Sequence, residues 1–325
     1  MSVSESDRLM LKEFETGLDP LHPDKGGIPA RVIGYGEIST VMEIGAKGGS
    51  NLAYKRVPIF RDQGEIEAYE ALYRDYIHTL QDRIGIQVVP SDITSVTDEP
   101  RHRDVAYIIQ EKLPKESIGQ KAIHALPAEE VNRLILAILA ELSKVFDFNQ
   151  KNLGKLELGI DGQISNWAIT DFDPDIAKLK DPIKLVYFDT STPLLRREGK
   201  EQLDPELFLR GAPSFLVWLL RWLFLEDVMT RYYDFRKVSI DLIANFYKEQ
   251  RPELIPGLVE VVNGFLAERI DQGVIKPLST EEVKTYYRED AMIWRLYLSF
   301  RKVDRTLHQL LGRYYPYILP GRIRR

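Results

Sequence analysis

Three side chains in the middle of the chain have the types and spacing that phosphoryl chemistry uses. Asp161 and Asn166 are five residues apart after a short apolar stretch, and Asp189 ends a later apolar stretch. An aspartate can orient or accept the proton of an attacking hydroxyl group. An asparagine and a second aspartate offer the hard oxygen ligands that Mg²⁺ prefers. The structural alternative is an Asp-Gly hairpin turn at Asp161 and a strand-end turn at Asp189.

Upstream residues have the chemistry to hold the phosphates of a nucleotide. Gly34 and Gly36, followed by Ser39, lie between two predicted strands, where glycine lets backbone N–H groups approach an anion closely. Lys55 stands among apolar strand residues, where a lysine is costly unless it is paired. No Gly-Lys-Ser/Thr sequence closes the glycine segment and no helix is predicted after it, which argues against a P-loop and a dinucleotide-binding fold. A plain strand turn and an edge-strand lysine are the alternatives.

A carboxylate on the next predicted helix is the expected partner of Lys55. Apolar side chains recur at helical spacing over residues 64–83. Glu70 falls inside this apolar stripe and Glu67 at its margin, so Glu70 is preferred, because a buried charge requires an opposite charge. In the alternative, both glutamates are solvated.

The order of predicted elements places these residues at a cleft. Residues 1–29 form a loose polar arm with one short helix, residues 30–113 are strands with one helix, and residues 114–325 are mostly helical. This order predicts an α+β chain with a small β-rich N-lobe and a mostly helical C-lobe. The cleft between two lobes is where ligands usually bind. The strands of the N-lobe are predicted at 31–36, 39–44, 51–57, 86–91 and 104–112, and a buried helix at 128–147.

The segments around the three polar side chains resemble those of a known family, the aminoglycoside and choline phosphotransferases of the protein-kinase-like superfamily. Asp161-Gly-Gln163-Ile-Ser-Asn166 is similar to their catalytic loop, Asp-x-His/Gln-x-x-Asn followed by apolar residues. Phe188-Asp189 resembles their metal-binding motif. The glycine pair, the strand lysine, the helix acid and the hinge segment 110–113 follow in the family's order, so the resemblance covers about residues 30–250.

The resemblance implies a two-lobed protein-kinase-like fold and an ATP- and Mg²⁺-dependent phosphotransferase. Asp161 would be the catalytic base, Asn166 and Asp189 the metal ligands, and Lys55 the contact to the α- and β-phosphates. Backbone groups around Gln110 and Lys112 would meet the adenine, and Gly34, Gly36 and Ser39 would cover the phosphates. Because no Ala-Pro-Glu motif follows, the acceptor is expected to be a small hydroxylated or amine-bearing molecule.

Three residues depart from the family pattern. Gly159 stands where a histidine is usual, and Thr190 and Ser191 replace the usual residues after the metal-binding aspartate. These departures leave open a pseudokinase that senses nucleotide or binds another protein. A protein kinase is the third possibility.

A second registration of the motif is also available. Asp147 and Asn152 are five residues apart after the predicted buried helix, and Asp171 follows in Thr-Asp-Phe-Asp. The surroundings of Asp147 lack the Gln/His of the family loop, so this registration ranks second. The aspartate that faces Lys55 distinguishes the two.

Composition limits the remaining classes. The 325 residues carry a net charge of −5, which provides no broad positive field for nucleic acid. The chain has no cysteine, and its five histidines lack metal-ligand spacing. The run from Phe215 to Leu225 is too short to span a bilayer and is predicted to be a buried helix, so a cytoplasmic protein without a membrane partner is expected. The arginine- and tyrosine-rich tail from Arg313 is interpreted as a solvated, partly packed segment rather than a grip for an anionic partner or lipid.

Overall fold

The computed structural model describes residues 3–36, 38–45, 51–210, 217, 230–269 and 275–321. Its first part is built on a five-stranded antiparallel sheet, with the strand order β1-β2-β3-β5-β4. The strands are β1 Ala30–Tyr35, β2 Thr40–Ile44, β3 Leu52–Val57, β4 Ser91–Asp98 and β5 Arg103–Glu111.

Alternation along β3 assigns its two charged residues to opposite faces of the sheet. Lys55 pairs with Ile108 and Arg56 with Tyr107 on β5. Because successive side chains in a strand point to opposite faces, each cation has a different environment. Both cations are almost fully buried, so both need a partner.

Helix α2, Gln63–His78, covers the Lys55 face of the sheet. It begins at Asp62, whose carboxylate accepts a hydrogen bond from the N–H of Glu65. Its inward residues are the apolar and tyrosine side chains of the predicted stripe, namely Ile66, Tyr69, Tyr73 and Tyr76. The predicted helix is therefore confirmed, although a π-helical segment, Thr79–Ile84, forms its end.

Helix α1, Glu5–Gly17, covers the Arg56 face. Leu11 and Phe14, with Leu18 just beyond the helix, are buried against the sheet. The helix expected in the N-terminal arm is therefore present, but the arm is not loose in this segment, because the three apolar side chains form one stripe that packs on the sheet.

The fourth strand lies later than predicted. The sequence indicated a strand at 86–91, whereas β4 is Ser91–Asp98 and pairs along its whole length with β5. The preceding residues 86–90 instead run toward the helical part, where Val88 bridges to Tyr187. Apolar content favoured 86–91, but pairing with β5 decides which residues form the strand.

The second part of the chain is mostly helical. The helices are α3 Gly119–Ala125, α4 Ala128–Lys151, α5 Glu206–Leu209, α6 Phe235–Lys248, α7 Ile255–Ala267 and α8 Thr280–Leu310. Short strands form two small sheets between α4 and α5, namely β6 Leu156–Leu158, β7 Trp167–Ile169, β8 Leu185–Tyr187, β9 Leu195–Arg197 and β10 Lys200–Glu201. The predicted buried helix corresponds to α4, which packs in the centre of the largest apolar core.

These two parts confirm the predicted fold class, an α+β chain with a β-rich first part and a helical second part. The run from Phe215 to Leu225, predicted to be a buried helix, lies outside the described residues apart from Val217. Among the helices that are described, none combines the length and the apolar content needed to cross a bilayer.

The segment after α8 packs on the first part of the chain. Arg56 donates a hydrogen bond of 2.6 Å to the carbonyl of Pro316, and the Thr40 hydroxyl donates one of 3.4 Å to the carbonyl of Ile318. Tyr315 and Ile318 are buried. The tail up to Gly321 is therefore packed on the sheet, more closely than the solvated, partly packed tail expected from the sequence.

Candidate functional site

A β-hairpin places two of the predicted site residues side by side. Asn166 directly precedes β7 and Asp189 follows β8, and the two strands pair through Trp167 and Tyr187. The N–H of Phe188 also donates a hydrogen bond of 3.1 Å to the carbonyl of Asn166. The sequence separates Asn166 and Asp189 by 22 residues, but the hairpin brings them to the same end of one small sheet.

Lys55 is paired with Asp189. The lysine Nζ lies 2.7 Å from Asp189 Oδ1 and donates a hydrogen bond of 3.2 Å to Ser191 Oγ. The Ser191 hydroxyl in turn donates to Asp189 Oδ1 at 3.0 Å. Burial raises the pKa of Asp189, but the Lys55 charge and these hydrogen bonds outweigh it and hold the pKa below its usual value. Asp189 is therefore ionised at neutral pH.

Asp161 lies on the loop before this hairpin and has the opposite electrostatic environment. Its Oδ1 accepts a hydrogen bond of 3.1 Å from the N–H of Gln163, and its carbonyl accepts one of 3.3 Å from the Asn166 side chain. Burial, followed by the nearby carboxylates of Asp241 and Asp189, raises the pKa of Asp161 to about 8. Two aspartates of one site are therefore held in different protonation states.

One cavity of about 690 Å³ collects nearly all of the predicted site residues. They are Gly34, Gly36, Ser39, Lys55, Gln110, Lys112, Asp161, Asn166 and Asp189. The cavity lies between the sheet and the helical part, as expected for a ligand site. The structure thus brings these residues together, while the roles assigned to them stay predictions.

The glycine segment forms a tight turn at the cavity. The N–H of Gly36 donates a hydrogen bond of 3.0 Å to the carbonyl of Ser39. A Cβ on Gly36 would lie 2.7 Å from Ser39 Oγ, which is closer than such atoms approach. A larger residue here would require the Ser39 side chain to turn away, whereas glycine lets the backbone of the turn approach a ligand closely.

The hinge segment offers fewer free backbone groups than expected. The N–H groups of Glu111 and Lys112 already donate to the carbonyls of Pro90 at 3.1 Å and Asn51 at 2.8 Å. Within the described residues, the Leu113 N–H donates to no main-chain carbonyl. The adenine contact expected around Gln110 and Lys112 stays a prediction, and in the part of the chain that the structure describes the Leu113 N–H is the neighbouring main-chain donor without such an acceptor. The Gln110 side chain instead donates to the carbonyl of Phe188 at 2.9 Å and ties the hinge to the hairpin.

The predicted pair of Lys55 with Glu70 is wrong. Glu70 contacts Arg74 at 3.5 Å, and Lys55 uses Asp189. Glu67, the weaker candidate, is exposed. The side chains of α2 that contact the segments around Asp189 and Asp161 are Tyr69, Tyr73 and Tyr76. The apolar stripe was therefore identified correctly, but the partner of Lys55 was not.

The second registration is not supported by the geometry. Asp147 lies on α4 and pairs with Arg269. Asn152 caps the end of α4, where its side chain donates a hydrogen bond of 2.8 Å to the carbonyl of Phe148. Asp171 is exposed in a turn with a φ of 58°. The aspartate that faces Lys55 is Asp189, as in the first registration.

Two parts of the cavity wall were missed from the sequence. Helix α8 presents Asp290, Ile293, Trp294 and Tyr297 to the cavity, at the spacing of one helical face. Arg231 also lines it and donates hydrogen bonds to the hydroxyls of Tyr232, at 2.9 Å, and Tyr286, at 3.1 Å. The helical spacing of the α8 residues was a usable signal, but it does not reveal which face of a half-buried helix meets a cavity.

The donor set fits a magnesium ion that is shared with a nucleotide. Asn166 and Asp189 supply one amide oxygen and one ionised carboxylate at the same end of the hairpin. Among the described residues, no group of three or more His, Cys, Asp or Glu side chains is arranged to hold a metal. Mg²⁺ commonly binds through one or two carboxylates and completes its coordination with phosphate oxygens and water. A metal here would thus need the phosphates of a bound ligand.

The fold and the site together define a chain with a β-rich part and a helical part, in which a lysine on the third strand lines a cavity between them. The chain belongs to a family of unknown function, DUF6206, which it matches over residues 22–305. No curated protein matches it.

Two solved structures are similar over most of their length. One is WaaP in complex with acyl carrier protein, with 12% identity, coverage of 81% of this chain and 95% of that chain, and a TM-score of 0.31. The other is the GDP complex of wild-type aminoglycoside 2'-phosphotransferase-IIIa, with 10% identity, coverage of 74% and 93%, and a TM-score of 0.33.

Proposed function

We propose that this protein is a phosphotransferase that uses ATP and Mg²⁺ to phosphorylate a small hydroxylated or amine-bearing molecule. The observation that carries the proposal is the Lys55–Asp189 ion pair, which lies in the same cavity as Asp161 and Asn166. A lysine buried at this depth is costly, and a structural core has no need to surround it with two further polar groups and open space. A site for nucleotide phosphates explains all four together.

In the proposed reaction, the acceptor oxygen or nitrogen attacks the γ-phosphorus of ATP. The bond between the γ-phosphorus and the bridging oxygen breaks, ADP leaves, and the acceptor proton passes to the Asp161 carboxylate. A bound Mg²⁺ would neutralise charge on the phosphates. Lys55 adds a fixed positive charge toward the phosphates, and Asp161 orients the acceptor.

The environment of Asp161 suits a proton acceptor. A general base works best when its pKa lies near the operating pH, and that of Asp161 is raised to about 8 by burial and by its neighbouring carboxylates. Lys55 keeps Asp189 ionised in the same cavity, so the two aspartates are suited to different tasks.

The acceptor would bind in the half of the cavity beyond Asp161. This half combines aromatic side chains, Tyr232, Trp294 and Tyr297, with the charged side chains of Arg231 and Asp290. Aromatic surface with a few placed polar groups is typical of small-molecule sites. The long helix α8 also lines this half, and a cavity of about 690 Å³ has the size of a small-molecule site.

The test is phosphate transfer from ATP across a panel of hydroxylated and amine-bearing metabolites, with Asp161→Asn as the matched variant. This variant keeps the shape and the hydrogen bond from Gln163 but cannot accept a proton. We expect at least one acceptor whose turnover falls by about 10²–10⁴-fold in the variant. Tight Mg²⁺–ATP binding without turnover of any acceptor would instead favour a nucleotide-sensing pseudokinase.

A further inference from the structure

Helix α2 carries three tyrosines on the face that meets the candidate site. Tyr69, Tyr73 and Tyr76 are spaced four and three residues apart and are 3%, 2% and 1% exposed. Because side chains at these spacings share one helical face, the three rings form a row along the inner side of the helix. The rings pack in the core, but packing alone would be equally well served by phenylalanine.

Each hydroxyl reaches a segment that carries a predicted site residue. Tyr69 donates a hydrogen bond of 2.7 Å to the carbonyl of Ser191. The hydroxyl of Tyr73 lies 2.7 Å from Ser91 Oγ on β4 and 3.2 Å from Thr190 Oγ1. Tyr76 donates one of 2.9 Å to the carbonyl of Gly159. Two of the tyrosines therefore hold the segment after Asp189, and the third holds the segment before Asp161.

The contact between Tyr69 and Ser191 is one step from the Lys55–Asp189 pair. The carbonyl of Ser191 is held by Tyr69, while its hydroxyl accepts from Lys55 and donates to Asp189. Thr190 is fully buried, and its hydroxyl lies 3.4 Å from the Gln110 side chain as well as close to Tyr73. A buried hydroxyl without a partner is costly, so these contacts constrain where the segment can lie.

The residues that depart from the family pattern are the ones that the tyrosines meet. Where the family has other residues, Thr190 offers a buried hydroxyl and Ser191 offers a carbonyl that accepts the hydrogen bond from Tyr69. Gly159 leaves room in a crowded place, because a Cβ there would lie 2.9 Å from Leu194 Cβ and 3.0 Å from the Tyr233 ring. These departures and the pairing of Lys55 with Asp189 rather than Glu70 are thus parts of one arrangement.

We propose that Tyr69, Tyr73 and Tyr76 are positioning residues that hold the Asp189 segment and the Asp161 loop in register with Lys55. Their hydroxyls take the place of the expected ion pair between Lys55 and a helix carboxylate. The site is thereby joined to α2 through neutral hydrogen bonds, and Lys55 is left with Asp189 as its partner. The functional reason for this register rests on the proposed function. Whether the tyrosines restrain the two segments can be measured without it.

The first experiment measures amide hydrogen exchange in the chain without nucleotide, for the wild type and the variants Tyr69→Phe, Tyr73→Phe and Tyr76→Phe. Each variant keeps the ring and removes one hydroxyl. We expect exchange in the peptide covering 188–194 to become about three- to tenfold faster in the first two variants, the factor that the loss of one hydrogen bond gives. In Tyr76→Phe the same increase is expected in the peptide covering 157–163.

Tyr107→Phe is the matched control. Tyr107 is fully buried on the other face of the same sheet and donates its hydroxyl to Glu15. The Tyr107→Phe substitution removes a buried hydroxyl that has no contact with the site, so the exchange rates of both peptides should equal those of the wild type. If one phenylalanine variant does not fold, Thr190→Val removes the partner of Tyr73 and tests the same bond from the other side.

The second experiment measures the dissociation constant of a fluorescent ATP analogue in Mg²⁺ and in EDTA. We expect Tyr69→Phe and Tyr73→Phe to weaken binding about three- to tenfold in Mg²⁺ and to leave binding in EDTA unchanged, because the segment they hold carries the predicted metal ligand. If the wild type binds the nucleotide and all three tyrosine variants have the same exchange rates and the same affinity as Tyr107→Phe, this inference is overturned and the proposed function is not. The absence of nucleotide binding by the wild type would overturn the proposed function, whatever the exchange rates.

Discussion

Asp161 and Asp189 lie in one cavity but respond to it in opposite ways. Burial acts on both, whereas Lys55 contacts Asp189, and the carboxylates of Asp241 and Asp189 act on Asp161 more strongly than the Arg231 charge does. The neutral form of Asp161 is therefore favoured in the free protein. A cation that binds between them would shift this balance toward the ionised form, so ligand binding and readiness of the base would be coupled.

This difference predicts a pH-dependent gain in stability for Asp161→Asn. The folded pKa of Asp161, about 8, lies above the value of about 3.9 for an unfolded chain. The stability that Asp161 provides is complete below pH 4 and is lost as pH rises toward 8. Asparagine does not ionise, so the free energy of unfolding of the variant should exceed that of the wild type by about 1–3 kcal/mol at pH 8.5, since the side chain is partly open to the cavity.

Urea unfolding at pH 4, 6 and 8.5 measures this difference, with exposed Asp175→Asn as the control. The gain should grow steadily with pH in Asp161→Asn and should be absent in the control. A gain that is equal at all three values would show that Asp161 is ionised in the folded protein.

At the scale of elements, the packing around Gly159 predicts a local defect if the residue is enlarged. Gly159→Ala would place its Cβ against Leu194 and Tyr233, so the loop or these side chains must shift. We expect the free energy of unfolding to fall by about 1–3 kcal/mol, as for other overpacked sites. Gly264→Ala, on the open side of α7, has no atom near its new Cβ and should be stabilising by about 0.5–1 kcal/mol. A neutral Gly159→Ala would show that the glycine has no packing role.

The attachment of α1 to the sheet predicts sensitivity to acid. Glu15 and Arg56 are both about 1% exposed and form a buried ion pair, with Arg56 Nε 2.8 Å from Glu15 Oε2. Burial raises the pKa of Glu15, but Arg56 and the Tyr107 hydroxyl outweigh it and hold the pKa below its usual value. The pair therefore adds stability above about pH 4.3, which is lost as pH falls through the lower folded pKa.

Glu15→Gln should remove most of this dependence. At pH 7 the variant is expected to lose about 3–5 kcal/mol, because Arg56 is left buried without its counter-charge. Its stability should then change less than that of the wild type between pH 5 and pH 3. Glu13→Gln on the exposed side of α1 is the control. Equal acid sensitivity of the wild type and both variants would contradict this account of the pair.

The sequence predicted the secondary-structure elements better than the interaction partners of individual side chains. The strand–helix–strand order and the positions of Lys55, Asp161, Asn166 and Asp189 followed from pattern and motif, because periodicity reports which side of an element is buried. The partner of Lys55 did not follow, since Asp189 reaches it only through the β7–β8 hairpin, which joins distant parts of the chain. The stripe on α2 was identified, but its tyrosine hydroxyls gave no sign of what they would meet.

At the scale of the whole molecule, the cavity joins parts of the chain that lie far apart in sequence. Helix α8 lines the cavity through Asp290 and Trp294, and the segment that follows it packs back onto the sheet beside Arg56. The helix on one side of the cavity is therefore followed by a segment that is anchored on the sheet, which forms the other side. The sequence did not predict that the tail packs on the sheet, because a packed tail and a loose tail can have the same tyrosine-rich composition.

The central claim is a working site for Mg²⁺ and nucleotide at Lys55 and Asp189. It is tested most directly by the melting temperature of the wild type and of Asp189→Asn, with and without ATP, in Mg²⁺ and in EDTA. At an ATP concentration about 100 times the dissociation constant, binding adds about 2.7 kcal/mol, which raises the melting temperature by about 5 °C. We predict this rise for the wild type in Mg²⁺ and its loss in Asp189→Asn. No Mg²⁺-dependent rise in the wild type, or an equal rise in the variant, would contradict the claim.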